Sequence, residues 1–195
     1  MTDNVTKVRI LDEANSLIRE LGMNGISYAH ISSRVNIRKA SIHYYFPTKD
    51  DLIRELVAYQ SQIFLDEVHA IVEDGGADAR TKMHRYFGLF EKAFNDGKGG
   101  SICLFGMLGA EIHSLDDQTC DIVRDFYSRN IQSIRTILAA PDTDDDAIGD
   151  TAASETAHMI FSAIEGAMII SRANRDLGGY KAVMNNLLNI IDFSK

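Results

Sequence analysis

The sequence predicts an all-α protein of about nine helices, three of them in an N-terminal head and the others in a larger body. Three observations predict it. Apolar residues recur at intervals of three and four almost throughout, the 195 residues include only two prolines and no tryptophan, and no stretch sustains the alternation that a half-buried strand needs. A chain of this length can bury a core unaided and suffices for one large domain or a small one joined to a larger one.

Helix one follows from Val8, Leu11, Ala14, Ile18 and Leu21 on a single face, and Gly22 and Gly25 supply the left-handed residues that stop it. Ser27 is a natural N-cap for a short second helix with Ile31 and Val35 inward, ended by Asn36, which tolerates the left-handed conformation. A third short helix starts near Arg38. Two short helices across a tight turn, behind a longer supporting one, make a helix-turn-helix. Phe46 and Pro47 close the third helix, because proline lacks an amide hydrogen and pushes the preceding residue out of the α region. Thr48 caps a fourth helix, with Asp50 and Asp51 in the first turn where the dipole favours them. It runs to about Asp74 on Leu52, Leu56, Ile63, Val68, Ile71 and Val72, long enough to link two bodies of structure.

Gly75 and Gly76 break the fourth helix, and further helical segments are predicted over about 78–95, 101–113, 116–139, 151–175 and 179–193. Their borders fall at Gly97, Gly99 and Gly100, at Ser114, between Pro141 and Gly149, and at Gly178 and Gly179. No repeat of solenoid length is present. The functional division expected is a head over residues 1–50 and a body over 51–195.

Charge singles out one stretch. Between Ile26 and Lys49 the ionised side chains are Arg34, Arg38, Lys39 and Lys49, with His30, His43, Tyr44 and Tyr45 among them and no acid. Residues 1–55 carry eight Lys or Arg against seven Asp or Glu, a net of +1, which leaves −9 for the remainder of a chain whose total is −8. The head can approach a polyanion and the rest would be repelled by it.

Other function classes find little support. Cys103 and Cys120 form no CxxC pair and fit reduced thiols of a cytoplasmic protein, with buried small hydrophobes as their plainest reading. The N-terminus has no apolar core of signal-peptide length, and the richest late stretch, 158–171, is interrupted by Glu165 and Gly166, so neither export nor a membrane span is expected. His69, His84, His113 and His158 are not spaced as ligands, and no metal is expected. The acidic run from Asp142 to Asp150 reads as a solvated connection, because a calcium loop begun at Asp142 would place Ala147 at the glycine position and Ala153 at the bidentate-glutamate position. No phosphate loop, nucleophile elbow, HExxH pair or triad context occurs, so neither an enzyme nor a cofactor is expected.

The run IRKASIHYYFPTKDDL, preceded by helix one and by SYAHISSRVN, closely resembles the DNA-binding head of TetR/AcrR-like transcriptional regulators. The motif match covers about residues 5–55. In that family the second short helix lies in the major groove and the next helix starts at a phosphate-contacting lysine. Carried onto this chain, the resemblance and the physical reading together give Arg38 and Lys39 as base readers, Ser41, His43 and Tyr44 over the next turn as base or phosphate contacts, and Ser27 and Lys49 as phosphate contacts at helix N-termini. Ile42, Tyr45 and Phe46 read as packing. Asn36 and Ala40 stand where glycines are common, and His43 where tyrosine is common.

The resemblance further implies that the body binds a small effector and dimerises through the last two long helices. Met159, Ile160, Ala163, Ile164, Ala167 and Met168, with Leu187, Leu188, Ile190 and Ile191, cover more than one helical face, as contact with a second chain requires. A homodimer would set two reading helices about 34 Å apart on a near-palindromic operator. Tyr86, Phe87, Phe90, Cys103, Met107, Phe126, Tyr127, Phe161 and Ile164 are the candidate effector-binding residues, for which the alternative is mutual packing. With Glu111, His113, Arg124 and Glu165 as the few charged groups nearby, a mainly apolar effector is expected.

The leading reading is thus a homodimeric, ligand-released repressor. Two alternatives stand beside it. One is a small-molecule binding helical protein with a vestigial head. The other is a regulator that senses electrophiles or oxidants through Cys103, whose segment GGSICLFGMLGAEIHSLDD resembles that of cysteine-sensing relatives and whose thiolate Lys98 and the sixth helix's N-terminus would favour.

Overall fold

The computed structural model describes residues 2–95, 102–139, 146–191 and 193. Among them lie nine α-helices: α1 (Thr2–Leu21), α2 (Tyr28–Val35), α3 (Lys39–Tyr45), α4 (Lys49–Val72), α5 (Ala79–Asn95), α6 (Leu104–Ala110), α7 (Asp117–Leu138), α8 (Asp146–Asn174) and α9 (Gly178–Ile190). Short 3-10 turns occupy Met23–Gly25 and Ile112–Ser114. No helix among the described residues is long and apolar enough to cross a membrane.

The chain divides into two compact units. One comprises Met1–Ile63 and Leu104–Arg124, the other Phe64–Cys103 and Asp125–Lys195. Residue contacts therefore group the 104–124 segment with the N-terminal helices rather than with the other later helices.

In the first unit α1 packs on α2 and α6, and α2 on α3. The buried face of α1 is Ile10, Leu11, Ala14, Leu17 and Ile18. Leu21, expected on that face, is 53% exposed because the helix ends there at Gly22. Gly22 adopts φ +77°, a conformation that calls for glycine, while the nearest group to a Cβ there would be the flexible Glu111 carboxylate at 3.0 Å. Ile31, Val35, Ile42, Phe46, Leu52, Ile53, Leu56 and Val57 are further buried residues of this unit.

Asn36 terminates α2 in the left-handed region at φ 56°, ψ 50°, and its amide donates to Ser32 O. Asn36→Gly is expected to leave stability unchanged within a few tenths of a kcal/mol, whereas Asn36→Ala costs about 1 to 2 kcal/mol through Cβ crowding. Urea denaturation of the three proteins checks this.

The second unit is held by α8 against α9, with α5 packed on both. Met83, Tyr86, Phe87, Phe90 and Phe94 place a continuous buried face on α5 at helical spacing. On α7 the buried run Phe126, Asn130, Ile134 and Ile137 does the same.

Two boundaries differ from expectation. The sixth helix stops at Ala110, because the Glu111 amide is shared between Met107 O (3.1 Å) and Leu108 O (3.2 Å), which tightens the chain into the 3-10 turn that follows. The eighth begins at Asp146, so part of the acidic run read as a connection is helix. Residues 140–145 lie outside the described residues.

Candidate functional site

The α2–α3 pair presents the residues expected to meet DNA, and local chemistry explains each placement. Ser27 is the N-cap of α2, extended at φ −140°, and its side chain accepts from the His30 amide at 3.4 Å. Arg38 caps α3 through backbone geometry alone, with no side-chain cap bond, and Lys39 is the first residue of that helix. Both side chains are exposed. Tyr44, one turn along, is 74% exposed and stacks edge-on against Tyr45 at 5.1 Å. Ser41 is half-buried.

Three basic or aromatic groups of the same stretch are engaged with the protein. His43 is exposed, but its Nδ1 lies 3.3 Å from Pro47 O and its ring meets Tyr28 edge-on at 4.7 Å, so Nε2 is the nitrogen turned to other partners. The Lys49 ammonium donates to Met23 O at 2.7 Å, which fixes the start of α4 against the turn after α1. Arg34 binds Glu20 through both guanidinium nitrogens, at 3.1 and 2.6 Å, with Glu13 at 3.7 Å. Hydrogen bonding to Glu20 is the largest cause that raises the Arg34 pKa, and the paired carboxylate offsets the charge that Arg34 presents to a polyanion.

The junction after α3 is held closely. The Tyr28 hydroxyl stands 2.8 Å from Phe46 O and 2.5 Å from Thr48 O, able to donate to one at a time. Burial, then the charges of Asp51 and Asp50, push the Tyr28 hydroxyl up to about 12, so it stays a donor. Thr48 and Asp51 close a reciprocal cap: the Asp51 amide donates to Thr48 Oγ1 at 3.1 Å, and the Thr48 amide donates to Asp51 Oδ2 at 3.1 Å. Bonding from the Thr48 hydroxyl is the largest cause that holds the Asp51 carboxyl below its ordinary value.

The candidate effector residues separate. Tyr86, Phe87, Phe90, Cys103, Phe126, Phe161 and Ile164 are buried in the second unit and Tyr127 half-buried there. Their rings form a chain: Tyr86 to Phe90 at 5.5 Å, Phe90 to Phe161 at 6.4 Å, Phe161 to Tyr127 at 5.7 Å. Met107 is not among the residues of that unit. It belongs to the first unit, where its Cε lies 3.7 Å from the position of a Gly22 Cβ. Glu111 and Arg124 are also in that unit, engaged by Asn24 (3.1 Å) and Asp121 (2.8 Å). A cleft of about 190 Å³ opens in the first unit beside Lys49, Asp50 and Asp116, and none of the expected effector residues lines it.

Against this geometry, comparison with known proteins is direct. The family model described as "Bacterial regulatory proteins, tetR family" matches residues 10–56, and that described as "Transcriptional regulator LmrA/YxaF-like, C-terminal domain" matches 79–185, more than half of the chain. This chain is a member of the TetR family of transcriptional regulators. A TetR transcriptional regulator from Legionella pneumophila has the same fold at a TM-score of 0.85, with 24% identity over 94% of this chain and 96% of that one. A TetR-family regulator from Agrobacterium tumefaciens gives a TM-score of 0.83 and 27% identity, covering 97% and 98%. The biofilm operon icaADBC negative transcriptional regulator IcaR of Staphylococcus epidermidis is 37% identical over 60 residues, 31% of this chain and 32% of that protein, so about a third of that relative's length is spanned.

In this TetR-family regulator several polar residues around the aromatic chain escaped the sequence reading. Asn130 is fully buried, accepts from the Tyr86 hydroxyl at 2.7 Å and donates to Phe126 O at 2.8 Å. Tyr180 donates to Phe87 O at 2.7 Å, and Ser171 Oγ accepts from the Tyr180 amide at 3.0 Å. Phe64 joins Phe90 (5.1 Å) and Phe126 (5.3 Å). Glu165 was noticed but not assigned. Both its carboxylate oxygens are out of solvent contact with no nitrogen or hydroxyl donor, and burial pushes its pKa up to about 7, opposed by hydrogen bonding from the weakly donating Cys103 thiol. The signal was present, a lone acid in the apolar run HMIFSAIEGAMII. Cys103 is buried directly before α6. Lys98, expected to favour its thiolate, lies outside the described residues, and α6 with seven residues offers only a short dipole.

Proposed function

We propose that this TetR-family regulator is a homodimeric repressor that reads a near-palindromic operator with α3 and is released by a small effector bound in its second unit. The observation that carries the reading is the state of α3. Arg38 and Lys39 project from its start, exposed, and no protein group engages either side chain among the described residues. Neighbouring Arg34 and Lys49, by contrast, are tied to Glu20 and to Met23 O. Free guanidinium and ammonium groups at the N-terminal end of a second short helix are placed to donate to guanine acceptors in the major groove. Ser27 and Tyr44 flank them as phosphate contacts.

Pairing of two chains is supported by α8 and α9. Met159 is 50% exposed, Ile170 60% and Ile190 62%, an apolar surface of the kind a second copy covers. Of the residues that the sequence offers for pairing, Met159 and Ile190 are exposed, while Ile160, Ile164, Ala167 and Met168 are buried in the unit's own core. Release requires that the effector bind the DNA-incompetent state more tightly. A coupling of about 1 to 3 kcal/mol weakens operator affinity about 5- to 150-fold, and α4, whose residues belong to both units, is the proposed lever.

A gel shift at fixed salt, with DNA from upstream of the protein's own gene, tests the reading. Arg38→Ala and Lys39→Ala are each expected to weaken specific binding by about 1 to 3 kcal/mol, roughly 5- to 150-fold, while the fold is retained. Specific binding that survives in both variants would reject α3 as the reader.

A further inference from the structure

Among the described residues, Tyr86, Asn130, Ser171 and Tyr180 of the second unit's core each find a partner within 3.0 Å. Glu165, in the middle of α8, has both carboxylate oxygens shielded from water, and only the weakly donating Cys103 thiol is placed to bond it. A buried ionised carboxylate with neither a strong donor nor a counter-charge is costly, and protonation removes the charge but adds an O–H that also needs a partner. Neutral residues of similar size would pack here at no such cost.

The surroundings narrow what complements it. Tyr86 on α5, Tyr127 on α7 and Tyr180 on α9 all feel the Glu165 charge, as does the chain at Cys103. No lysine, arginine or histidine among the described residues contributes to its titration; burial and the Cys103 thiol account for it. Ring faces attract cations, and Tyr127 continues into Phe161 and Phe90. An anionic ligand would be repelled, and a purely apolar one would leave the carboxylate as it is.

We propose that the Glu165 carboxylate is the polar anchor of the effector site, and that it takes a protonated amine carried on an apolar body. The proposal rests on the reading that the second unit binds the effector, and it adds the charge and the contact residue. Bound amine and carboxylate form a desolvated, charge-assisted pair, and the tyrosine and phenylalanine rings enclose the apolar part. The raised pKa gives the pairing a signature. Near and below pH 7 the carboxyl is partly protonated, so amine binding must expel that proton, and affinity falls toward tenfold per pH unit as pH drops below 7.

The test uses the full-length protein and matched triplets of arylalkyl probes, the same body ending in a primary amine, a hydroxyl or a carboxylate. These are screened by thermal shift and then by calorimetry at pH 6 and 8. The expected result is that amines bind more tightly than the alcohols by roughly tenfold or more, and carboxylates more weakly. Calorimetry of the wild type in two buffers of different ionisation enthalpy is expected to show proton release at pH 6 and little at pH 8. In Glu165→Gln the amine preference and the proton release disappear together. Equal affinity of amines and alcohols, no binding by any amine, or an amine preference that persists in Glu165→Gln without proton release in the wild type would each overturn the proposal. A wild-type gel shift keeps the two readings distinct. Amines that bind by calorimetry yet never release operator DNA leave the anchor standing and reject its coupling to DNA. Release by alcohols as well as by amines rejects the anchor and leaves the regulator.

Discussion

Replacing Glu165 by glutamine is expected to raise the stability of the ligand-free protein by roughly 3 kcal/mol above pH 7, and to change it little below pH 4. The folded-state pKa stands near 7 against an ordinary value of 4.5, so folding favours the protonated carboxyl. At low pH both states are protonated and the wild type carries no penalty. As pH rises from about 4.5 the unfolded chain ionises while the folded one does not, and stability falls until the folded carboxyl also ionises near 7. Above that the loss is constant, at about 1.4 kcal/mol per unit of difference. Glutamine keeps the shape without the charge and removes the whole pH-dependent part. For a chain of this size 1 kcal/mol corresponds to about 2 to 4 °C, so melting temperatures of wild type and variant should diverge by roughly 6 to 12 °C at pH 8. Coincident melting curves across that range would show that Glu165 ionises freely in the fold.

Phe46→Ala is expected to cost about 3 to 5 kcal/mol and to remove operator binding with it. Phe46 is fully buried at the C-terminal end of α3, with the Lys7 ammonium over its ring at 5.7 Å and its amide donating to Ile42 O. Truncation leaves a cavity at the point where α1, α3 and α4 are joined, in a unit too small to compensate elsewhere. Phe46→Leu, which keeps most of the volume, should cost less than half as much. Urea denaturation gives the stabilities, and a gel shift at low temperature separates unfolding from a damaged reading surface. Full operator affinity in Phe46→Ala would mean that α3 is positioned by something other than this contact.

The helices were legible in the sequence because their signals are local. Ser27, Asn36, Thr48 and the glycines at 22, 75 and 76 act on their own backbone, and each ends or starts an element where expected. Less was legible where the deciding partner is distant. Leu21 looked buried by periodicity, yet it stands half exposed at the helix end. Arg34 and Lys49 looked like free cations, since neither Glu20 nor Met23 O is close to them in sequence. Met107 shares the aromatic residues' chemistry but belongs to the other unit. On α8 the sequence showed a helix apolar on more than one face, and only the fold tells that Ile160 and Ile164 point inward while Met159 and Ile170 point out. Burial of Glu165 required the same knowledge, because a charged residue in an apolar run is usually found at the surface.

The bonds that join Tyr28 to Phe46 and Thr48, and Thr48 to Asp51, also set how faithfully motion is transmitted. A linkage with slack would absorb a small displacement of α4 before α3 felt it. Here the segment between the two helices is only Phe46, Pro47 and Thr48, with proline fixing its backbone and both flanking carbonyls facing one hydroxyl. The first turn of α4 and α3 are thereby braced together. On the proposed function, an effector that tilted the start of α4 would carry α3 with it, with no separate rearrangement inside the head.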